Sequence, residues 1–181
     1  MLTNSLDLSK EPRTPFASFE EATRYLEDCC VRFNVLHLSY WLLSTVDGTP
    51  DQVTWIATYD PAYMSHYMMT YTPLGDPTFE ASIAEHVFHD WDEALQDDEM
   101  MQQLLPVATK YGITRYGVSI PLQDGDFGDV LFSVNVKSND EEWELLRDDL
   151  VAKFRPFGHF FHQRAKPLIE SRMVAEINFA A

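Results

Sequence analysis

The stretch Tyr116-Gly-Val-Ser-Ile-Pro-Leu-Gln-Asp-Gly-Asp-Phe-Gly-Asp-Val-Leu-Phe-Ser-Val-Asn-Val-Lys137 decides the fold. Its two ends, Tyr116 to Gln123 and Asp129 to Lys137, are rich in residues that favour strands. Between them Asp124-Gly-Asp-Phe-Gly128 has the composition of a turn. Two such runs around a Gly-containing loop predict an antiparallel hairpin. A second hairpin lies upstream. Val35 to Thr45 is β-rich and nearly continuous in apolar residues, Asp47-Gly48-Thr-Pro50 reads as a turn, and Gln52 to Tyr59 reads as the returning strand.

Helix signals surround both hairpins. Ser18-Phe-Glu-Glu21 is a capping box, and Ala22, Tyr25, Leu26, Cys29 and Phe33 follow it at helical spacing. Asp60-Pro61 predicts a helix start, with Asp as N-cap and Pro at the first helical position. Asp76-Pro77 repeats that signal for a shorter helix through about residue 84. Asp97 to Lys110 places acids in a first turn and Lys110-Tyr-Gly112 at its end, as the helix dipole favours, and Pro106 is expected to kink or split it. Ser138-Asn-Asp-Glu141 is read as a further capping box. It opens a long helix with the stripe Trp143, Leu146, Leu150, Phe154, Phe157 and Phe161, bent at Pro156. Paired strands separated by clusters of helices favour an α/β (α+β) fold. The expected architecture is a three-layer α-β-α sandwich with a central antiparallel sheet, of PAS or GAF type. Residues 1–16 are expected as a flexible lead-in and residues 17–168 as one domain.

Composition supports a single folded unit. The 181 residues are 45% hydrophobic and 13% aromatic, too apolar for a disordered acidic chain. Thirteen Lys and Arg stand against 29 Asp and Glu, a net charge of −16. Phosphate binding needs clustered cations, so a nucleic-acid surface within this chain is disfavoured. The charge is also unevenly placed. Twelve carboxylates, from Asp47 to Glu99, fall between Arg32 and Lys110 with no Lys or Arg among them. A neutral ligand suits that stretch better than a phosphate. Cys29 and Cys30 are adjacent, give no framework of bridges, and read as buried helix residues of a reducing compartment. Neither an export signal nor a membrane span is legible, so the expected location is the cytoplasm.

Two constellations carry chemistry. Tyr59, Tyr63 and Tyr67 recur every fourth residue, Asp76 begins the next helix, and Trp91 follows. Aromatics around one carboxylate can form a small-ligand pocket, with the carboxylate accepting from an N–H and a phenol or indole donating to a carbonyl. Aromatics at helical spacing are also ordinary core. The second constellation is His86-x-x-His89-Asp90, with His66 further back. His and Asp can bind a divalent metal, but no motif places a third ligand, and solvated polar residues are the expected state. No nucleophile elbow, Walker loop, zincin motif or dinucleotide fingerprint is present, so no catalytic residue is assigned.

Several of these motifs resemble the autoinducer-binding domain of LuxR-type quorum-sensing regulators. Tyr59-Asp-Pro-Ala-Tyr63-Met-Ser-His-Tyr67 is similar to that family's segment from second strand to helix. Asp76-Pro77-Thr78 matches its Asp-Pro-Thr/Val element, with Trp91 at the spacing of its pocket Trp. Tyr111-Gly-Ile-Thr-Arg-Tyr-Gly117-Val-Ser-Ile-Pro121-Leu resembles the start of its next strand, and Gly128 with Leu131-Phe132-Ser133 the strand after. The resemblance runs from about residue 18 to about residue 165.

The resemblance implies a domain that encloses an N-acyl-homoserine lactone and needs no other cofactor. It assigns Asp76 to the ligand amide N–H and Tyr59 to the acyl carbonyl. Tyr63 stands where the family usually has a Trp that donates to the lactone carbonyl. Tyr67 and Trp91 would wall the lactone, Ser119 or Ser133 would add a polar contact, and Thr78 and Leu131 complete the expected site. Strands 35–44 and 52–59 would line the acyl tail. Alternation leaves two registers for the first, with either Leu36, Leu38 and Tyr40 or His37, Ser39 and Trp41 inward. The resemblance further implies a homodimer, for which Phe157, Phe160 and Phe161 are candidate surface, and a helix-turn-helix DNA-binding domain beyond a linker starting at 169–181. An orphan receptor of this fold with another or no ligand, a module that only dimerises, and a small metal-dependent hydrolase are the alternative expectations.

Overall fold

A computed structural model describes residues 7–46, 49–70, 76, 82, 86–122 and 129–180. Helix α1 (Phe19–Phe33) starts at the predicted cap. Ser18 Oγ accepts from the Glu21 N–H at 3.1 Å, and Glu21 Oε2 accepts from the Ala17 N–H at 2.7 Å, one residue ahead of the usual reciprocal bond. Asn34 ends it in the left-handed region at φ 55°, a conformation Asn tolerates better than most residues. Strands β1 (His37–Val46) and β2 (Thr49–Ala57) form the first hairpin. The central turn residues Asp47 and Gly48 lie outside the described residues. Asp60 caps α2 (Pro61–Thr70) by accepting from the Ala62 N–H at 2.7 Å. The short helix expected after Asp76-Pro77 lies outside the described residues, except that Asp76 and Ser82 are seen.

A two-residue strand, β3 (His89–Asp90), leads into α3 (Trp91–Asp97) and α4 (Glu99–Thr109). Here the expected split at Pro106 is corrected. Helix α4 continues through Pro106, and the interruption falls at Asp98. Asp98 is extended (φ −124°, ψ 122°) and its carboxylate accepts from the Met100 and Met101 N–H groups. Two capping bonds hold a helix start there, whereas Pro106 forfeits one backbone bond. Strands β4 (Gly117–Leu122) and β5 (Asp129–Asn135) form the second hairpin, whose turn lies outside the described residues. Helix α5 (Asp140–Ala180) follows. Its cap is Asn139, whose Oδ1 accepts from the Glu142 N–H at 3.1 Å, not Ser138 as the capping-box reading had it.

The sheet order is β2-β1-β5-β4-β3, antiparallel throughout. One face carries Leu38, Tyr40, Leu42, Val118, Ile120, Val130, Phe132 and Val134 against α1 and α5. The other carries Trp41, Leu43 and Leu131 against α2 and α4. The three-layer α-β-α sandwich is the one predicted. Burial of both sheet faces explains why the first strand shows no clean alternation: its two candidate registers each face a helical layer.

Phe157 and Phe161 are fully buried and Phe160 is 8% exposed, all in the core under α5. They form no pairing surface, which corrects that expectation. Position 168 falls inside the continuous α5, and Ile169 beyond it is also fully buried. Within the lead-in, Phe16 is buried and Glu11 accepts from Tyr25 and Arg32, so these residues are tied to α1.

Candidate functional site

Between the second sheet face and helices α2, α3 and α4 lies a cavity of about 660 Å³, counting its open mouth. The i, i+4 spacing turns Tyr63 and Tyr67 inward from α2, and both are buried. Tyr59, just past β2, meets Tyr63 edge-on with ring centroids 5.7 Å apart, and Tyr63 meets Tyr111 at the same distance. Tyr67 packs on Trp41 at 5.9 Å.

One carboxylate stands among these rings. Asp76 is 8% exposed, and the Tyr67 hydroxyl donates to its Oδ2 at 2.7 Å. Burial, reinforced by the Asp76 charge, holds the Tyr67 phenol well above its ordinary pKa. Burial raises Tyr59 likewise, against a hydrogen bond with Ser39 that lowers it. Both phenols are therefore neutral donors at any physiological pH.

Trp91 closes one wall, and three parts of the chain place it. Asp90 caps α3 by accepting from the Asp92 N–H at 2.9 Å. From α5, Trp143 Nε1 donates to both Asp90 oxygens at 3.1 and 2.9 Å, and Arg147 pairs with Oδ2 at 3.1 Å. Below the ring sits Gly117, where a Cβ would lie 2.3 Å from Trp91 Cε3. Glycine is thus needed at that strand start for the indole to lie flat over β4. Trp91 Nε1 donates to Ser119 Oγ at 2.9 Å, and Ser119 and Ser133 share a bond at 3.1 Å.

Of the sequence-predicted residues, Tyr59, Tyr63, Tyr67, Asp76, Trp91, Ser119 and Ser133 all line this one cavity. Leu131 does not. It is buried in the adjoining cluster with Trp41, Tyr63 and Tyr67. Thr78 lies outside the described residues. The register left open for β1 resolves with Ser39 and Trp41 on the cavity side, while Leu38 and Tyr40 face α1 and α5. Among the described residues of the expected second wall, Tyr59 alone reaches the cavity.

Sequence reasoning missed the wall from α4. Met101, Leu104, Leu105 and Ala108 line the cavity, and their i, i+3, i+4, i+7 spacing was the available signal. It also missed Arg115, a cation at the cavity edge that lies outside the Arg32–Lys110 gap in sequence. Its guanidinium is matched by Asp92 at 3.1 Å and by Asp140. The Asp92 carboxyl is raised by burial, an effect the Arg115 charge partly opposes. The wall thus gains a neutralised ion pair and keeps no net cation.

In the metal constellation His66 and His86 are exposed, as expected of solvated residues, and Asp90 departs from that state. Asp90 is 3% exposed and fully engaged as a cap and ion-pair acceptor, and His89 pairs in register with Ser119 on the sheet edge. Among the described residues no three His, Cys, Asp or Glu side chains are grouped to hold a metal. No described helix is long and apolar enough to cross a membrane.

The family described as "Autoinducer binding domain" matches residues 18–165. No curated protein matches the chain. Among solved structures, Escherichia coli SdiA has a TM-score of 0.58 at 19% identity, over 83% of this chain and 63% of that one. SdiA in complex with octanoyl-rac-glycerol gives 0.54 at 19% identity, over 76% and 58%. CepR2 from Burkholderia cenocepacia, described as an N-acylhomoserine lactone dependent LuxR family factor, gives 0.62 at 14% identity, over 82% and 87%. The chain thus spans less than two thirds of the length of those two SdiA chains. At such identities the likeness to these structures is one of fold, and the family assignment comes from the matched span. That span holds the sheet, the layer of α2 to α4 and every described residue of the tyrosine-lined cavity, and the chain belongs to the autoinducer binding domain family.

Proposed function

We propose that this chain binds an N-acyl-homoserine lactone in the tyrosine-lined cavity and works as the sensing and dimerising domain of a cytoplasmic transcription regulator. The observation that carries the reading is Asp76: one buried carboxylate set among aromatic rings, with Tyr67 as a hydrogen-bond donor to it. A carboxylate offers several acceptor sites, so an amide N–H is a fitting further donor to Asp76. Tyr59 lines the same cavity, its hydroxyl suited to the acyl carbonyl. Tyr63 would donate to the lactone carbonyl, Tyr67 and Trp91 would flank the ring, and Met101, Leu104 and Ala108 would bed the acyl chain. The function is binding without catalysis.

Response follows from mass action. A ligand that binds only the folded state stabilises it by about 2.7 kcal/mol at a hundredfold excess over Kd. The sensing domain then persists long enough to pair and to act through a DNA-binding domain of the regulator. The free, buried thiols Cys29 and Cys30 suit a reducing compartment.

Thermal unfolding of the purified chain with saturating acyl-homoserine lactones of four to twelve acyl carbons tests the reading. At least one ligand is expected to raise Tm by several degrees. In Asp76→Asn that shift is expected to fall with an affinity loss of about tenfold or more, since a charged acceptor is replaced. A flat panel on the native chain would overturn the proposal.

A further inference from the structure

Trp91 stands between two carboxylates in the chain, and the cation that pairs with one of them comes from outside the cavity. Helix α3 is only seven residues long, about two turns. A helix that short depends on its surroundings for its place. It gives the cavity two side chains, Trp91 and Leu95. Trp91 is half-buried, so its tilt is set from behind, by what holds the start of α3.

Asp90 holds that start. It caps α3, is 3% exposed, and joins the sheet edge through its register partner Val118. Its carboxylate accepts from the Asp92 N–H, from Trp143 Nε1 and from Arg147 Nη1. The first two donors are neutral. Among the described residues Arg147 alone forms an ion pair with it. The same Nη1 donates at 2.5 Å to Glu93, in the first turn of α3. One guanidinium thus grips the chain on both sides of Trp91, at Asp90 and at Glu93. Asp90, Trp143 and Arg147 all stand outside the cavity lining.

A buried carboxylate with neutral donors only is costly. Without Arg147, Asp90 is expected to turn toward water and take the cap with it, and the indole then leaves its seat over Gly117 and Ser119. We infer that Arg147 is a positioning residue for the ligand. From α5 it fixes, through Asp90, the angle at which Trp91 meets the ligand, so cavity occupancy and the anchoring of α5 favour each other. Such coupling is reciprocal, and α5 runs unbroken from this anchor to Ala180. The inference rests on the acyl-homoserine lactone reading for its ligand. Arg115 also pairs with α3, through Asp92, but it lines the cavity itself. Arg147 tests the coupling without touching a ligand.

Calorimetric titration of the 181-residue chain with butanoyl, octanoyl and dodecanoyl homoserine lactones tests it, well below the Tm of each variant. Circular dichroism reports that each variant is folded there, so a merely structural role would leave affinity unchanged. Arg147→Gln is expected to weaken the tightest of the three lactones about fivefold. Arg155→Gln, on the same helix and bonded to the Pro121 carbonyl at 3.0 Å, is expected to stay within about twofold of native. In a Trp91→Phe background, which has no indole to hold over Ser119, the Arg147→Gln effect is expected to shrink to within about twofold. Asp90→Asn removes the charge that Arg147 pairs with and keeps an acceptor, and it is expected to weaken binding in the same direction. Native affinity in Arg147→Gln, or in Asp90→Asn should Arg147→Gln not fold, overturns the inference and leaves the lactone reading standing. An effect that persists undiminished beside Trp91→Phe overturns the route through Trp91. An equal loss in Arg155→Gln overturns it as well, since any change on α5 would then suffice. Failure of all three lactones to bind the native chain overturns the inference together with the lactone reading.

Discussion

At the scale of single residues, the site depends on two positions of opposite character. Asp76 supplies charge inside an aromatic enclosure, and Gly117 supplies the absence of a side chain. A methyl at 117 would overlap the six-membered ring of Trp91, with approaches of 2.3, 2.5 and 2.7 Å to its atoms. The indole cannot yield along a flexible tail, so it must tilt and give up its bond to Ser119. Gly117→Ala is expected to cost about 1–3 kcal/mol through overpacking and to weaken ligand binding about tenfold as the donor is lost. Urea unfolding and a ligand titration followed by Trp fluorescence measure both; unchanged affinity would refute the role given to Gly117. The tyrosines were legible at this scale, since their spacing alone sets them on one face. Ser39 and Trp41 were not, because β1 is buried on both faces and its pattern does not say which side holds the cavity.

At the scale of elements, α5 reaches the site without lining it. Its Trp143 and Arg147 converge on Asp90, which caps α3 and so sets the start of the helix that carries Trp91. Asp90→Ala leaves a fully buried indole N–H and a largely covered guanidinium without their acceptor. The expected loss is about 3 kcal/mol, the lower end for breaking a buried pair because Arg147 retains Glu93 and Glu144. Chemical denaturation measures it, and a loss under about 1 kcal/mol, the size of an exposed pair, would contradict this account. In sequence, Asp90 stood beside two histidines and looked like part of a metal group. Its partners lie 53 and 57 residues downstream, a separation that no local motif encodes. Pro106 misled in the same way: a proline costs one helical bond, but two capping bonds at Asp98 decided where the helix divides.

At the scale of the whole molecule, the two sides of the sheet do different work. The side under α1 and α5 is a continuous apolar core, with Phe33, Phe154, Phe157 and Phe161 fully or nearly fully buried. The side under α2 and α4 is an aromatic and hydroxyl-bearing cavity. Cys29 and Cys30 belong to the first side, and burial pushes each thiol from 9.0 to about 11. A folded pKa above the unfolded one means the native state holds these protons longer. Their contribution is therefore full below pH 9 and is lost as pH rises toward 11. Native protein is expected to lose stability between pH 8 and pH 10.5 more steeply than Cys29→Ala/Cys30→Ala, as read by urea midpoints; parallel slopes would refute it. The sequence by itself determined the two hairpins, the capped helices, the acidic and neutral character of the middle segment and the tyrosine–aspartate set, because each rests on propensity or spacing within a few residues. Tertiary structure alone decided that Ser39, Ser133 and Ser119 stand in one row across the sheet, that α4 supplies the apolar wall, and that Arg115 reaches the cavity already neutralised. Those facts depend on strand register and helix docking, which join residues far apart in the chain and are set by the burial of both sheet faces at once.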